Sequence, residues 1–563
     1  MLRKVNLVTI FLLAFVIAVF ISCKGKHSAE EKELVITPEQ MDAKVSENIK
    51  AILSFAKDND GKINEKISLW NNEILNQFYE SNSYQGIWSS KEKWFPIADS
   101  MFQFINNAKY YGLYPDEYHV SELDTLRRKI ATDSLVRTDA IAWTKAELLL
   151  SDAFMRALKE LKEGRLVPDS ASIIHNEKRI DSFFIKTLAE FKKTNSMTSI
   201  FEEIEPSNKD YISIRNALKV FVDSMDTKKY NLLTYPYKDS LTFIKQLHQR
   251  LLQSQYGNAA LSLPDSASFA STLKKYQADK KLVVDGKAGR EVVKSLNTTD
   301  NERFKQIAIT LDRYKLIPNL PERYIWVNIP SFNLKVWDHD SLVLESRVVV
   351  GKPDTRTPIF SSAISDMVTF PQWTIPESII KKDILPQLKK DPGYLERKGY
   401  SLVSNKGETI NPYTVDWSKY SKGIPWNVVQ GSGDDNALGI FKFNFNNPYS
   451  VYLHDTNQRY LFSNANRALS HGCVRVQKWE KLAFYIAQLD SMQMKPGQSL
   501  AYNADSIKTW ITNKSRKRIL VKSRLPLFIK YFTCEAKKGS IVFYDDIYDD
   551  DKLLAQEYFK SIK

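Results

Sequence analysis

The hydrophobic pattern changes character at about residue 322, and this change limits the possible folds more than any other feature of the chain. Before it, apolar residues recur at helical spacing, for example at Leu150, Phe154, Ala157, Leu158 and Leu161. After it, short runs rich in β-branched and aromatic residues are separated by proline and turn residues. The sequence therefore predicts a multidomain α+β protein with a helical first half and a β-rich second half.

Length and composition narrow the class of protein. A chain of 563 residues predicts about three or four domains, and 43% hydrophobic residues are enough for several packed cores. The 80 Lys and Arg outnumber the 66 Asp and Glu, giving a net charge of +14 that is spread along the chain. This excess is compatible with acidic partners, either nucleic acid or an anionic cell envelope. Three cysteines without a C-x-x-C pair exclude a disulfide scaffold and a zinc ribbon.

The N-terminus indicates export. Arg3 and Lys4 precede an apolar stretch from 7 to 21 that is short for a membrane-spanning helix. The run Phe20-Ile21-Ser22-Cys23 resembles the lipobox of bacterial lipoproteins, although Phe20 stands where Leu is usual. We expect a lipoprotein signal peptide over 1–22, lipidation of Cys23 and a solvated tether over 23–44; an uncleaved anchor helix is the alternative. Both interpretations place the body outside the cytoplasm, in the periplasm, and the lack of Asp after Cys23 favours the outer membrane.

The chemistry is concentrated in a short segment. Two of the seven histidines, His454 and His471, lie within twenty residues of Cys473, the one cysteine outside the two terminal regions. A thiol becomes a good nucleophile when an imidazole within hydrogen-bonding reach takes its proton. Gly472 leaves the neighbouring backbone open, so that successive N–H groups could face a developing oxyanion. An exported protein has little reason to retain a free thiol without a use for it.

These residues carry a resemblance to a known family. His454, a gap of fifteen residues, and Ser470-His471-Gly472-Cys473 resemble the signature of the L,D-transpeptidases, cysteine enzymes that cross-link peptidoglycan. Arg475 stands where many members have Asn. Flanking runs at 349–351, 357–358, 371–376, 436–439 and 452–456 are similar to the large periplasmic subfamily. In that subfamily a helical scaffold carries a peptidoglycan-binding module, and an insertion in the YkuD-type catalytic domain caps the site.

The resemblance implies a domain order. It predicts a helical scaffold over 45–237, a catalytic domain over 298–508 with an insertion at about 377–430, and a C-terminal scaffold extension over 509–563. Residues 238–297 are similar to the three-helix peptidoglycan-binding domain, because Tyr276-Gln277 precedes an Asp-Gly-x-x-Gly turn at 285–289. A generic helical bundle with a glycine turn is the alternative for this segment. The lone His119 and His175, and the tyrosines at 110, 111, 114 and 118, are interpreted as structural.

The resemblance also implies residue roles. Cys473 would be the nucleophile, His454 the general base, and the N–H groups of Gly472 and Cys473 the oxyanion donors, while Ser470 and His471 shape the turn and Arg475 and Tyr452 bind substrate. The reaction would join two stem peptides in a 3→3 cross-link through a thioester, releasing D-Ala, without metal or other cofactor. Carbapenems would acylate the same thiol. The partners would be peptidoglycan stem peptides and, through the lipid anchor, a membrane, but not nucleic acid, and we expect a monomer.

Several alternatives remain open at this stage. The thioester could be resolved by water, by a free D-amino acid or by an amine of an envelope protein. A zinc peptidoglycan hydrolase could use His454, His471, Cys473 and Asp455 as ligands. A third alternative is a wall-binding lipoprotein without activity, with Cys473 an inert thiol. Cys534 lies in a strand-like apolar run, so we expect it to be buried, unreactive and too far from Cys473 to form a disulfide.

Overall fold

A computed structural model describes residues 32–166, 180–257, 266–280, 282–317, 319–494 and 500–559. The predicted signal peptide, the Cys23 lipidation site and His175 lie outside the described residues. The chain divides into two compact units, one containing the described residues of 1–165 and 174–225 and the other those of 166–173 and 226–560. Within the described residues, no helix has the length and apolar character needed to cross a membrane.

The first unit is helical, as predicted. Its helices are α1 (Pro38–Lys57), α2 (Asn72–Ser81), α3 (Pro96–Asn106), α4 (Val120–Thr132), α5 (Ser134–Arg137), α6 (Ala140–Lys162), α7 (Ile180–Thr194), α8 (Met197–Ile204) and α9 (Lys209–Ser224), with one short hairpin of β1 (Ser89–Ser90) and β2 (Lys93–Trp94). Helix α6 is its buried centre. Asp139 caps α6 by accepting the N–H of Ile141, and the helix ends before Gly164, which has a φ of +77°.

Helix α6 is buried but carries polar side chains, and these form hydrogen bonds inside the core. Glu147 is fully buried and accepts the backbone N–H groups of Ile87 and Trp88. These bonds fix the backbone that leads into β1. Burial raises the pKa of Glu147 to about 7. His119 pairs with Asp152 at 2.7 Å, and Tyr118 is completely buried, in agreement with their structural interpretation.

The second unit begins with four helices, α10 (Ser240–Gln253), α11 (Ser266–Asp279), α12 (Arg290–Asn297) and α13 (Asp300–Lys315). The Tyr-Gln pair and the glycine turn are joined by hydrogen bonds. The Gln277 side chain accepts the N–H of Gly286 at 2.8 Å and donates to Asp285 at 2.7 Å. Gly286 has a φ of +71°, which favours glycine at that position. The motif thus closes one end of a small helical core that includes Leu247, Leu273 and Tyr276.

The β-rich half forms a ten-stranded sheet. Its strands are β3 (Arg323–Asn328), β4 (Asn333–Asp338), β5 (Ser341–Gly351), β6 (Phe360–Thr369), β11 (Phe441–Phe445), β12 (Leu453–His454), β13 (Ala468–Ser470), β14 (Val474–Val476), β15 (Lys517–Leu520) and β16 (Pro526–Lys530). The order is β11-β12-β14-β5-β4-β3-β16-β6-β15, with β13 paired to β5, and a further pairing of β11 with β6 closes the sheet on itself. Helices α17 (Trp479–Met492) and α18 (Ala504–Thr512) pack on its core.

Two strands beyond residue 508, β15 and β16, belong to this sheet. Strand β16 lies parallel to β3 and antiparallel to β6, and β15 pairs with β6. After them come the hairpin of β17 (Cys534–Lys537) and β18 (Ser540–Phe543) and the helix α19 (Asp550–Tyr558). Asp551 of α19 bonds both Arg313 and Thr533. The predicted boundary at residue 508 is therefore corrected, because the chain beyond it completes the catalytic sheet instead of forming a separate scaffold extension.

The insertion forms a small body of its own, which we call the cap (residues 373–430). It contains an antiparallel sheet in the order β7 (Trp373–Thr374), β10 (Asn427–Gln430), β8 (Tyr400–Val403) and β9 (Thr409–Ile410). Short helices α14 (Glu377–Ile379), α15 (Leu385–Leu388) and α16 (Tyr394–Arg397) join a π-helical turn at Ile380–Ile384. Ile384, Leu388 and Trp417 are among its core residues. The cap begins four residues before the predicted insertion and ends where it was predicted to end.

Candidate active site

A cleft of about 290 Å³ lies where the cap meets the catalytic sheet. The cap contributes Trp373 and the start of α14, and the sheet contributes Tyr452, His454 and Cys473. The cleft therefore brings the predicted nucleophile and the predicted base to one place.

Strand register explains why these side chains share one face. On the antiparallel pair β11–β12, Lys442 stands opposite His454, and on the parallel pair β12–β14, His454 stands beside Arg475. Side chains two residues apart on a strand point the same way, which places Tyr452 with His454 and Cys473 with Arg475. Residues at the alternate positions, namely Phe441, Phe443, Leu453 and Val474, are buried in the core. The same face of these three strands thus carries the Cys473 thiol, the His454 imidazole and the Tyr452 phenol. The cations of Lys442 and Arg475 lie on it as well.

The turn that carries the nucleophile is held by side-chain hydrogen bonds. Ser470 Oγ accepts the N–H of Gly472 at 3.1 Å and donates to the carbonyl of Cys473 at 2.6 Å. Gly472 has a φ of +115°, and a Cβ there would lie 3.2 Å from the Arg356 carbonyl oxygen. The Gly472 carbonyl accepts the Thr357 hydroxyl at 2.8 Å. Glycine is therefore required at 472, and Ser470 shapes the turn in the way that the motif predicts.

One predicted role does not fit this geometry. The N–H of Gly472 was expected to stabilise an oxyanion, but Ser470 already accepts it. The N–H of Cys473, in contrast, donates to no other residue in the described part of the chain. Of the two N–H groups predicted to face an oxyanion, that of Gly472 is used within the turn and that of Cys473 is left open.

The Cys473 thiol is half-buried, with Sγ 3.9 Å from the Ser450 carbonyl oxygen. Burial raises the pKa of the Cys473 thiol, because a thiolate loses solvation in the cleft. Hydrogen bonds from the backbone N–H and the phenol of Tyr452, and the positive charges of Lys442 and Arg475, oppose that rise in pKa. Cys473 is thus a thiol at rest, and groups that would stabilise its thiolate already surround the sulfur.

His454 is 4% exposed. Burial, followed by the positive charge of Arg475 and that of Lys442, lowers the pKa of His454 to about 3. Its Nδ1 is buried and accepts no hydrogen bond from a described residue. Within the described structure no hydrogen bond joins His454 to Cys473, although both line the cleft. The imidazole is therefore neutral at ordinary pH and has an open position for a proton.

Arg475 is the second cation beside His454. Its Nη1 donates to Thr456 Oγ1 at 3.2 Å and to Gln458 Oε1 at 2.9 Å, whereas its Nε is buried without an acceptor. Among the described carboxylates none forms an ion pair with this guanidinium. An unneutralised guanidinium with an unused donor in a cleft is suited to a carboxylate of a ligand.

His471 points to the cap instead of the thiol. Its Nε2 lies 3.0 Å from Asp383 Oδ2, and the neighbouring Lys382 pairs with Asp354 at 2.8 Å. These two contacts join the π-helical turn of the cap to the catalytic body at the rim of the cleft. The sequence predicted that His471 shapes the turn, but it gave no sign of Asp383 as its partner.

The arrangement gives no support to the zinc alternative. Asp455 is directed to Arg459 at 2.7 Å and to the N–H of Ile440 at 3.2 Å. No three His, Cys, Asp or Glu residues in the described structure are grouped so that they could hold a metal ion. The cations of Lys442 and Arg475 beside His454 would also repel a divalent cation.

The second thiol behaves as predicted. Cys534 is completely buried, and burial raises the pKa of its thiol to about 12. Both Cys473 and Cys534 are free. Cys473 thus forms no disulfide with Cys534.

Sequence reasoning missed Lys442. Its Nζ lies 3.8 Å from the centroid of the Tyr452 ring. The signal was a single charged residue between Phe441 and Phe443, in a strand whose Phe side chains are its core positions. Only the pairing of β11 with β12 shows that this lysine stands opposite His454.

Comparisons with known proteins find two families in this chain. Residues 322–495 match the L,D-transpeptidase catalytic domain family, and residues 73–218 match a family described as the Scaffold domain. A Haemophilus influenzae protein provisionally named as an L,D-transpeptidase is 35% identical over 268 residues, which are 47% of this chain and 52% of the relative. The chain thus spans about half the length of this curated relative.

Solved structures with a detectable likeness include two L,D-transpeptidases. One, from Mycobacterium smegmatis, shares 12% identity over 37% of this chain and 58% of its own, with a TM-score of 0.18. The other is the catalytic domain from Enterococcus faecium acylated by ertapenem, with 11% identity over 38% of this chain and all of its own, and a TM-score of 0.17. Such low scores support no statement about the site.

Proposed function

We propose that the L,D-transpeptidase catalytic domain which this chain carries forms 3→3 cross-links between peptidoglycan stem peptides through a thioester on Cys473. The observation that carries the proposal is the common cleft face of β12 and β14. It places the Cys473 thiol and a neutral His454 together, with two cations beside them. A neutral imidazole can accept a proton, which is the first requirement for activating a thiol.

The first half-reaction releases D-Ala. Cys473 Sγ attacks the carbonyl that joins the L-centre of the diaminopimelate-type residue to the terminal D-Ala, and His454 takes the thiol proton. The free N–H of Cys473 donates to the oxyanion that forms. When the tetrahedral intermediate collapses, His454 returns the proton to the departing amine. D-Ala leaves, and the donor stem remains on Cys473 as a thioester.

The second half-reaction builds the cross-link. A side-chain amine of a second stem attacks the thioester carbonyl, and His454 accepts a proton from that amine. Collapse of this intermediate expels the Cys473 sulfur, which recovers its proton. One amide bond is broken and one is formed, so the exchange requires neither a cofactor nor an external energy source.

The charges of the cleft support an anionic substrate. Stem peptides carry carboxylates, and Arg475 keeps a buried Nε without a partner in the described structure. We assign to Arg475 the binding of a substrate carboxylate. Tyr452 donates hydrogen bonds to the Cys473 sulfur and lines the cleft. We therefore assign it two roles, stabilising the thiolate and contacting the substrate.

The cellular setting follows from the same proposal. A cell-wall substrate agrees with the predicted export signal, with lipidation at Cys23 and with a periplasmic location held at the outer membrane. Residues 238–297 would bind peptidoglycan or position the catalytic domain on it. The protein would act as a monomer.

The deciding experiment is incubation of the protein with purified disaccharide-tetrapeptides and mass analysis of the products. We expect dimers that have lost one D-Ala, an acyl adduct on Cys473, and neither product with Cys473→Ala. Formation of tripeptide alone would show that the enzyme is a hydrolase instead of a cross-linking enzyme. Replacement of D-Ala by an added D-amino acid would show that it catalyses exchange. Equal products from Cys473→Ala, or their loss only on addition of a chelator, would refute the cysteine mechanism.

A further inference from the structure

Three separate features place the side chain of Lys442 beside His454 and Tyr452. It stands opposite His454 in the β11–β12 register, its Nζ lies 3.8 Å from the centroid of the Tyr452 ring, and it is half-buried. An ammonium over an aromatic face is attracted by the ring quadrupole, more strongly where water is excluded. Lys442 therefore contacts the face of the Tyr452 ring and can hold it in place.

This ammonium is not neutralised by a neighbouring acid. Lys442 forms no ion pair with any described carboxylate. The acid on the adjacent strand is Asp366, whose carboxylate accepts Asn444 Nδ2 at 2.8 Å and Arg518 Nε at 3.1 Å. A lysine that is half-buried without a carboxylate partner costs folding free energy, which suggests a use for its charge.

The other groups around Lys442 belong to the site. Strand β12 contributes His454 and the preceding Tyr452, β14 contributes Arg475 and the preceding Cys473, and β6 contributes Asp366. Tyr452 makes an edge contact with the His454 ring, with ring centroids 5.6 Å apart. Of these groups only Cys473 changes from neutral to negative during the reaction. His454 gains a positive charge when it takes the thiol proton, which the fixed charge of Lys442 opposes, whereas the same charge stabilises a thiolate at Cys473.

We propose that Lys442 is a positioning residue for the nucleophile: its ammonium keeps the Tyr452 phenol against Cys473 and favours the thiolate over the thiol. This proposal rests on the assignment of Cys473 as the nucleophile, and it adds a residue that the motif does not contain. Proton transfer remains with His454, since Lys442 touches neither the sulfur nor the scissile bond. Burial lowers the pKa of Lys442, and the charges of Cys473 and Asp366 oppose this decrease.

The test measures the thiol itself and requires no peptidoglycan. Iodoacetamide alkylates thiolates, so the rate at Cys473, followed from the mass of its peptide between pH 6 and 10.5, reports the thiolate fraction. For Lys442→Met we expect the profile to move to higher pH and the rate at pH 7.5 to fall about three- to tenfold, since one unit of pKa is tenfold. The rate on the alkaline plateau should stay unchanged. Lys442→Arg keeps the charge and should restore the wild-type profile.

A matched control removes the same charge elsewhere in the unit. Lys508 lies 5.3 Å from the Phe484 ring centroid on the surface of α18, outside the cleft, so the profile of Lys508→Met should superimpose on that of the wild type. A Lys442→Met profile within twofold of the wild type at every pH would overturn the proposal. A uniform fall in rate without a pH shift would also overturn it, by showing a packing role alone. If Lys442→Met does not fold, Lys442→Gln is judged by the same criteria.

The outcome is independent of the proposed reaction. If the Lys442→Met variant is alkylated at the wild-type rate and still cross-links muropeptides, the role of Lys442 is refuted and the proposed function is not. A shifted alkylation profile in a protein without transpeptidase activity would uphold the role of Lys442 and refute the proposed function.

Discussion

The neutral state of His454 predicts a measurable loss of stability in acid. An ordinary histidine takes up a proton near pH 6.5, whereas the pKa of folded His454 is lowered to about 3 by burial and two neighbouring cations. Between these values the unfolded chain binds a proton that the folded chain does not. The contribution of this residue is therefore constant above pH 6.5 and becomes increasingly unfavourable as the pH falls towards 3.

The size of the effect follows from the same two values. Linkage gives a loss of about 2 kcal/mol at pH 5 and about 3 kcal/mol at pH 4, relative to pH 8. Solvent screening reduces this little, because only 4% of His454 is exposed. Replacement by glutamine, which does not titrate, should remove this part of the pH dependence while leaving that of the carboxylates unchanged.

Hydrogen–deuterium exchange is the suitable assay, because the two units of the chain need not unfold together. The free energy of opening is measured for amides of β11, β12 and β14 at pH 8 and pH 5 in the wild type and in His454→Gln. The wild type should lose about 2 kcal/mol more than the variant. The exposed His339 supplies the control, since His339→Gln should follow the wild type. Equal losses in the wild type and His454→Gln would refute a buried neutral imidazole.

Four further predictions concern the thiols, the turn and the cap. A carbapenem should give a one-to-one adduct in intact-mass spectra of the wild type and none with Cys473→Ala, because the strained lactam carbonyl meets an activatable thiol. Thr357→Val leaves the Gly472 carbonyl and another buried backbone group without partners, so it should cost about 2–4 kcal/mol by exchange at β14 and slow acylation. Asp383→Asn weakens the contact to His471 and should speed amide exchange in α14 and the π-helical turn without changing exchange in β16. Cys534→Ala should keep activity within about twofold in the muropeptide assay, since a buried thiol of raised pKa does not react.

The parts of the protein that depend on local sequence were predictable. The helical first unit, the end of α6 at Gly164 and the cap follow from apolar spacing and from glycine and proline positions. The nucleophile turn was predictable for the same reason, because Ser470, Gly472 and Cys473 are adjacent in sequence. The resemblance to the L,D-transpeptidases, confirmed for residues 322–495, was carried by these neighbours.

The parts that depend on pairing between distant strands were not. Strand β16 joins β3 across about two hundred residues, so the chain beyond residue 508 was assigned to a separate extension. The position of Lys442 depends on the β11–β12 register, which no local pattern fixes. The loss of the Gly472 N–H as an oxyanion donor depends on the rotamer of Ser470, which accepts that N–H. Register and rotamer arise from tertiary packing, and one sequence contains them only implicitly.

The two cations beside His454 also bear on the second half-reaction. Lys442 and Arg475 make a proton on the imidazole unfavourable, so His454 is unprotonated when each attack begins. The same charges oppose entry of a protonated acceptor amine, because like charges repel strongly where water is partly excluded. An acceptor that enters as the free amine meets no such barrier and is at once nucleophilic. In the proposed reaction the positive cleft would thereby select the reactive form of the acceptor, attract the carboxylates of both stems and stabilise the leaving thiolate with one set of charges.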